Sequence, residues 1–473
     1  MSDAKAPVAR LPSSGSRSWP LTAGIFLLYC LYLPFSACSA MVYDALGYWT
    51  LTERFFRAGS FHFLAYDDAL RGYLLPLLNL PAKAVAHFTG AAPLTLTRLM
   101  GAAYAALLFG WAGPALWLRL FPRHRLDWLP RLAFAGLGFL FWRDYFNFVL
   151  SDFPAVLALV LSLWLVLGRG GPGAAVLAGA GLMAAANIRP VYLLAAPAVL
   201  LLSVLHVPGP RRLGQLGGLL LGAALLGGPQ LLLNQRHHHV ATPLVLSRDA
   251  RLPTANLYLA QLGWGLVIQK YETSLDPAFP APRMLYTDPA GQALLQRLHT
   301  RHFTSYAQYA AATRREPLAF VALYGRHLFN GLDVQYPSPF VTRITARSPW
   351  LAGLHYSVWF VALVVAAAGG RAVDGRSLLT VAALLLPCLA ALPIAMECRF
   401  LLPLHLLLYA VACFGGAQWR PAWTALPWPR IALLMAGYAV FVLLCLRLST
   451  QTQRQLTADV RVLAPLGGTE AQR

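Results

Sequence analysis

Residues 19–41 read WPLTAGIFLLYCLYLPFSACSAM, and an acid follows at Asp44. This run approaches the ~20 apolar residues that span a bilayer and exceeds the ~7–15 residues of a signal-peptide core. Three basic residues precede it, so the positive-inside rule predicts a cytoplasmic tail at residues 1–18. An uncleaved first transmembrane helix therefore brings Asp44 to the extracytoplasmic surface.

The composition predicts a membrane protein and excludes a nucleic-acid-binding one. The 473 residues are 58% hydrophobic and 12% charged, whereas soluble proteins are about half apolar and a quarter charged. The net charge is +20, yet the basic residues are scattered through loops without a nucleic-acid-binding motif. The densest basic cluster, at residues 119–131, predicts a cytoplasmic loop. We therefore expect membrane lipids with anionic headgroups as partners, and no nucleic acid.

Two features of the composition leave alternatives open. Arginine greatly outnumbers lysine, which reflects either bidentate contact with phosphate and carboxylate groups or the composition of the genome. The six cysteines lie in or beside apolar runs without CxxC spacing, so they are predicted to be buried free thiols. The alternative for two of them is a disulfide between Cys38 and Cys398 near the outer surface.

The order of apolar runs and basic loops predicts an all-α polytopic membrane protein with about 11 transmembrane helices, in a range of about 10–12. The N-terminal transmembrane module covers residues 19–233 and includes a first outer loop at 42–93, predicted to hold amphipathic helices. A larger outer loop or small cap follows at 234–349. The C-terminal helices cover 350–447, and a tail covers 448–473.

Charged residues at the outer ends of the predicted spans are candidate site residues, because an unpaired charge there is costly without a partner or a function. Arg189 and Arg399 occupy such positions, as does Asp44. For three of the charged residues, a purely structural role is the alternative to a role in a functional site. Asp44 would simply end the first span, Asp152 would cap the next helix, and Arg399 would pair with Glu397 or with lipid headgroups.

Several short segments together resemble the GT-C superfamily of membrane glycosyltransferases, over roughly residues 20–415. The segments are Tyr43-Asp-Ala-Leu-Gly-Tyr48, Ser151-Asp-Phe-Pro154, Ile188-Arg-Pro190, Pro229-Gln-Leu-Leu-Leu-Asn234 and Glu397-Cys-Arg-Phe-Leu-Leu-Pro403. The resemblance implies transfer of a sugar from a polyprenyl-phosphate-linked donor to a lipid, glycan or protein acceptor. It also implies a location in the bacterial inner membrane, with the active site on the extracytoplasmic side.

The resemblance implies catalytic roles for acids in the first outer loop. Asp44 matches the general base that takes a proton from the acceptor, and Asp67 or Asp68 matches a second acidic position. Many members carry two adjacent acids at the first position, whereas the neighbour of Asp44 here is Ala45. That departure weakens a metal assignment, so no residue is assigned as a metal ligand and a divalent cation is left open as a cofactor.

The lipid phosphate that leaves during transfer develops charge, which guanidinium or imidazole donors stabilise. We expect the substrate-binding residues to be Arg71, Tyr48, Asp152, Arg189, Glu397, Arg399 and His237. Two rival functions remain at this stage: a lipid or glycolipid transporter or flippase, and a catalytically inactive GT-C-like scaffold. A transporter predicts acids in the middle of the membrane, and the predicted spans hold almost none.

Overall fold

The computed structural model describes residues 18–36, 39–57, 60–168, 171–206, 209–252, 255–300, 302–369, 373–416, 426–459 and 462. The predicted cytoplasmic tail before Ser18 lies outside these ranges, as do Cys38 of the alternative disulfide and most of the predicted C-terminal tail after residue 459. The described chain is mostly helical, as predicted.

The described chain contains the following α-helices, in order along the sequence. They are α1 (Ser18–Tyr32), α2 (Tyr43–Leu51), α3 (Leu74–Thr89), α4 (Pro93–Ala105), α5 (Gly113–Leu120), α6 (Trp128–Trp142), α7 (Asp152–Val166), α8 (Pro172–Ile188), α9 (Ala196–His206), α10 (Arg212–His238), α11 (Leu257–Val267), α12 (Pro289–Arg297), α13 (Tyr306–Arg315), α14 (Pro317–Leu332), α15 (Pro349–Gly369), α16 (Gly375–Ala391), α17 (Leu402–Ala410) and α18 (Trp428–Gln453). A π-helical segment, Ala106–Ala112, joins α4 to α5.

Five helical stretches of the described chain are long and apolar enough to cross a membrane. They are Pro93–Leu120, Arg212–His238, Pro349–Gly369, Cys398–Gly415 and Trp428–Gln453. Shorter apolar helices of 10–17 residues lie at the other predicted spans. Five of the about 11 predicted spans therefore correspond to helices of sufficient length. The other six would have to be formed by the shorter helices, so the total count stays a prediction.

Two small sheets correct the expectation of an all-α chain. In the first outer loop, β1 (Phe56–Arg57) pairs antiparallel with β2 (Ser60–Phe61). In the larger loop, β3 (Ile268–Ser274) pairs antiparallel with β4 (Arg283–Thr287) and parallel with β5 (Phe340–Val341). β6 (Leu456–Thr457), from the predicted C-terminal tail, pairs antiparallel with β4. The short strands β5 and β6 have partners far away in the sequence, so no local alternation of polar and apolar residues marks them.

The larger loop folds into a cap that packs on the connection between α16 and α17. The Tyr258 hydroxyl donates to Ala390 O at 2.7 Å, and the Tyr271 amide donates to Met396 O at 2.9 Å. His327 Nδ1 lies 2.6 Å from Leu392 O. These bonds hold the cap against the segment that carries Glu397 and Arg399.

The first outer loop approaches the outer end of α8 at Gly72. A Cβ atom on this residue would lie 2.1 Å from Asn187 O, so only glycine allows the contact. The Leu74 amide donates to Asn187 Oδ1 at 3.0 Å, and Asn187 Nδ2 donates to Gln230 Oε1 at 2.9 Å. Gln230 Nε2 in turn donates to Asn234 Oδ1 at 2.9 Å. This buried amide network fixes the loop to α8 and α10.

Candidate functional site

A cavity of about 440 Å³ lies between the predicted first outer loop, the C-terminal ends of α8 and α16, and the cap. Its volume falls within the ~300–1,000 Å³ typical of small-molecule sites. Loop, helix-end and cap residues all contribute to its wall. The polar and charged lining residues include Asp44, Tyr48, Arg71, Ser151, Arg189, Ser247, Asp249, Arg251, Gln261, Arg283 and Arg399.

Asp44 lies in the first turn of α2, where the helix N-terminus favours a negative charge. The preceding residue, Tyr43, has a φ of +45°, in the left-handed region that bulky residues rarely adopt. Its hydroxyl donates to Ser274 O at 3.3 Å, and its ring lies 5.9 Å from that of Phe340. The sheet of the cap therefore anchors the turn that presents Asp44 to the cavity.

The Asp44 carboxylate lies between two guanidinium groups. Arg71 Nη2 is 2.7 Å from its Oδ1, and Arg399 Nη2 is 3.3 Å from its Oδ2. Burial alone would raise the pKa of Asp44, but Arg71 and Arg399 outweigh this effect and hold the pKa well below its usual range. The side chain remains 42% exposed, so a ligand in the cavity can reach an ionised carboxylate.

Arg71 is held in place by its own loop. Asp68 Oδ1 accepts hydrogen bonds from the amides of Leu70 at 2.9 Å and Arg71 at 2.6 Å. The guanidinium carbon of Arg71 lies 4.2 Å from the centroid of the Tyr48 ring, a cation–π contact. Asp68 and Tyr48 therefore position the arginine that binds Asp44.

Arg399 and Arg189 belong to one charged cluster at the start of α7, the end of α8 and the start of α17. Arg399 Nη2 lies 3.1 Å from Glu397 Oε1, and Arg399 Nη1 lies 3.6 Å from Asp152 Oδ2. Arg189 forms a further ion pair with Asp152. Asp152 is fully buried and makes no capping hydrogen bond to α7, so the capping explanation is wrong and its partners are the two arginines.

The structure brings most of the candidates together. Asp44, Tyr48, Arg71, Arg189 and Arg399 all line the cavity. The ion pairs of Arg399 connect Glu397 and Asp152 to the same cluster.

The other three candidates do not line the cavity. Asp67 pairs with Arg54 at the exposed side of the loop, and Asp68 accepts from backbone amides. His237 Nε2 lies 2.9 Å from Leu64 O. Within the described ranges, no three His, Cys, Asp or Glu side chains converge closely enough to hold a metal ion.

Sequence reasoning missed the contribution of the cap. Arg251, paired with Asp249 at 2.7 Å, and Arg283 of β4 both line the cavity. Among the described residues, Arg283 makes no ion pair, unlike the four other arginines of the wall. The sequence offers no motif for it, because only the pairing of β4 in the sheet brings Arg283 to the cavity wall.

A second charged cluster, around the fully buried Lys270, was also missed. Lys270 Nζ lies 3.1 Å from Glu272 Oε1 and donates to Asp333 O at 2.9 Å. Burial lowers the pKa of Lys270, but the neighbouring acids raise it well above its usual value. Burial raises the pKa of Glu272, and Lys270 offsets only part of that rise. The thiol of Cys398, next to Arg399, donates to Asp333 O at 3.4 Å, which connects this cluster to the cavity wall.

No protein-family model, curated protein or solved structure matches the chain. Function is therefore inferred from the chemistry of the site itself.

Proposed function

We propose that this protein is a membrane glycosyltransferase that transfers a sugar from a polyprenyl-phosphate donor to an acceptor on the extracytoplasmic side of a bacterial inner membrane. The observation that carries the proposal is the Asp44 carboxylate, held between Arg71 and Arg399 on the wall of a cavity rich in arginine. A carboxylate beside several guanidinium groups combines a proton acceptor with binding sites for a leaving phosphate.

In the proposed reaction, Asp44 takes the proton of an acceptor hydroxyl or amine as that atom bonds to the anomeric carbon of the sugar. The bond between the anomeric carbon and the phosphate oxygen breaks, and its electron pair stays on the phosphate. Arginine side chains stabilise the charge that develops there. One carboxylate is sufficient for such an inverting displacement, because the phosphate already activates the donor.

Donor binding would also strengthen Asp44 as a base. The incoming phosphate competes with the carboxylate for Arg71 and Arg399, which hold the pKa of Asp44 low in the free protein. Weakening those ion pairs raises the pKa of Asp44 toward the working pH, where a general base is most effective. The same arginines thus couple donor binding to activation of the base.

Apolar residues at the outer end of α16 support a lipid-linked donor. Ala390, Ala391 and Ile394 line the cavity beside the charged cluster. A polyprenyl chain can extend along such a surface while its phosphate contacts the arginines. The cap residues of the wall would contact the sugar and the acceptor.

The direct test is transfer in proteoliposomes. Purified protein is supplied with radiolabelled undecaprenyl-phosphate-linked hexoses or pentoses and with a bacterial envelope extract as acceptor. Label should move from the polyprenyl lipid to an acceptor that the extract contains. Failure of every donor to react, combined with movement of a fluorescent polyprenyl phosphate between the leaflets, would support a flippase instead.

Replacing Arg71 should shift the pH dependence of transfer. A carboxylate with a lowered pKa stays ionised until the pH falls through that value, so the acid limb of the wild-type profile lies below the ordinary Asp pKa. In Arg71→Gln the pKa of Asp44 rises, and the acid limb should move up by about one pH unit or more. Profiles of kcat/KM against pH, which report the pKa values of the free protein, measure the shift. Arg251→Gln is the matched control, and an equal shift there would contradict the assignment.

Replacing Arg283 should weaken donor binding. Its guanidinium lines the cavity without an ion-pair partner among the described residues, so it can bind phosphate without breaking an existing pair. Loss of a hydrogen bond to a charged group costs about 1.5–3 kcal/mol, so Arg283→Gln should raise the KM for the donor about tenfold or more. Steady-state kinetics with varied donor concentration test this. An unchanged KM would remove Arg283 from the site.

A further inference from the structure

A second large cavity lies at the end of the helical bundle opposite the candidate site. Its volume is about 710 Å³, and its walls come from α5, α6, α7, α15, α16 and α17. Leucine and valine dominate the lining, with Trp117 and Phe134 at the side of α5 and α6. The cavity is partly open to its surroundings, and a wall of this composition offers too few polar partners to hold ordered water, so an apolar chain is the better occupant.

Helix α16 shows how far the two cavities lie apart. Ser377, Val381 and Leu384 line the apolar cavity, whereas Ala390 and Ala391, at its end, line the charged one. At 1.5 Å per residue, Ala390 lies roughly 20 Å from Ser377 and roughly 9 Å from Leu384. The hydrocarbon core of a bilayer is about 30 Å thick. With the charged cavity at one membrane surface, the apolar cavity therefore extends past the midplane into the opposite leaflet.

The end of the bundle that holds the apolar cavity is basic. Leu120, Phe121 and His124 line the cavity, and the segment that contains them carries the cluster of Arg119, Arg123, Arg125 and Arg131 against the single acid Asp127. Arg123 is exposed in the turn between α5 and α6. A ligand with an apolar chain and an anionic headgroup matches both the wall and the charge beside it.

We propose that this cavity binds one acyl chain of an anionic membrane phospholipid, whose headgroup contacts the basic turn at Arg123. The chain fills the apolar space between α5, α15 and α17, and the phosphate remains at the membrane surface. The lipid occupies the leaflet opposite the candidate active site, so it is distinct from the sugar donor. Binding does not depend on glycosyltransferase activity.

Native mass spectrometry of the intact protein in detergent tests this inference. The probes are dioleoyl phosphatidylglycerol and dioleoyl phosphatidylcholine, added separately at equal concentrations. Wild-type protein should bind one molecule of the anionic lipid with at least tenfold preference over the zwitterionic one. Ala366→Trp, on α15, places an indole in the cavity and should lower that binding at least tenfold. Ala367→Trp is the matched control, because the neighbouring residue does not line the cavity.

Arg123→Gln separates the headgroup from the chain. This variant should lose the preference for phosphatidylglycerol and bind both lipids equally. Thermal unfolding of each variant shows whether it is folded before lipid is added, and Ala366→Gln provides a smaller obstruction if Ala366→Trp does not fold. Equal binding of phosphatidylglycerol by wild type and by a folded Ala366 variant would overturn the proposal. Absence of any preference for the anionic lipid in the wild type would overturn it too.

Discussion

Asp44→Asn should lower kcat for sugar transfer by about 10²–10⁴-fold, the usual contribution of a general base. The amide keeps the size of the side chain but cannot accept the acceptor's proton. The KM for the donor should stay unchanged or fall, because Arg71 and Arg399 lose the carboxylate with which the phosphate competes. Single-turnover transfer from a radiolabelled lipid-linked sugar measures the chemical step separately from product release.

Glu53→Gln is the matched control for this experiment. Glu53 belongs to the same outer loop, but its side chain is 61% exposed and pairs with Lys83 at 2.5 Å, away from the cavity. We expect nearly wild-type transfer from this variant. Full activity of a folded Asp44→Asn protein would refute the proposed mechanism, whatever the donor.

Asp333→Ala should produce the largest loss of stability, about 3–5 kcal/mol, as expected when one partner of a buried charged cluster is removed. Asp333 is fully buried. Its carboxylate accepts from Gln335 and Tyr356 at 2.6 Å each and from Ser449 at 2.9 Å, and it lies 3.8 Å from Lys270 Nζ. The substitution would leave the ammonium group and three polar donors without this acceptor, loosening the cap from α15 and α18.

Thermal unfolding in detergent, followed by tryptophan fluorescence, checks this expectation. Asp333→Asn should lose less stability, because the amide oxygen still accepts a hydrogen bond. Glu53→Ala again serves as the comparison, since an exposed ion pair contributes only about 0–1 kcal/mol. Equal unfolding temperatures for Asp333→Ala and Glu53→Ala would show that the cluster does not hold the cap in place.

The two clusters also predict separate consequences for function. Asp44 lies on the cavity wall, so its replacement should affect catalysis with little change in stability. Asp333 is connected to that wall through Cys398, beside Arg399, so its replacement should reduce both stability and activity. Recovery of activity in Asp333→Ala at low temperature would indicate that the loss comes from unfolding of the cap.

Part of the candidate site was predictable from local sequence. Asp44, Arg189 and Arg399 each follow or precede an apolar run, so the predicted membrane topology places them at one surface. The structure brings all three to one cavity. Asp67, inside the first outer loop, and His237, just after an apolar run, face other partners. Position next to a span selects the surface on which a residue lies, but not the direction of its side chain.

The sequence by itself determined the helical membrane character of the chain, because apolar runs of sufficient length must bury their backbone polar groups in helices. It also determined the placement of the first outer loop directly after the first run. Only the tertiary structure decided that Arg283 joins the site, that Asp152 pairs with Arg189 and that short strands form a sheet in the cap. These features depend on contacts between segments distant in the chain, which local hydrophobicity and charge do not encode.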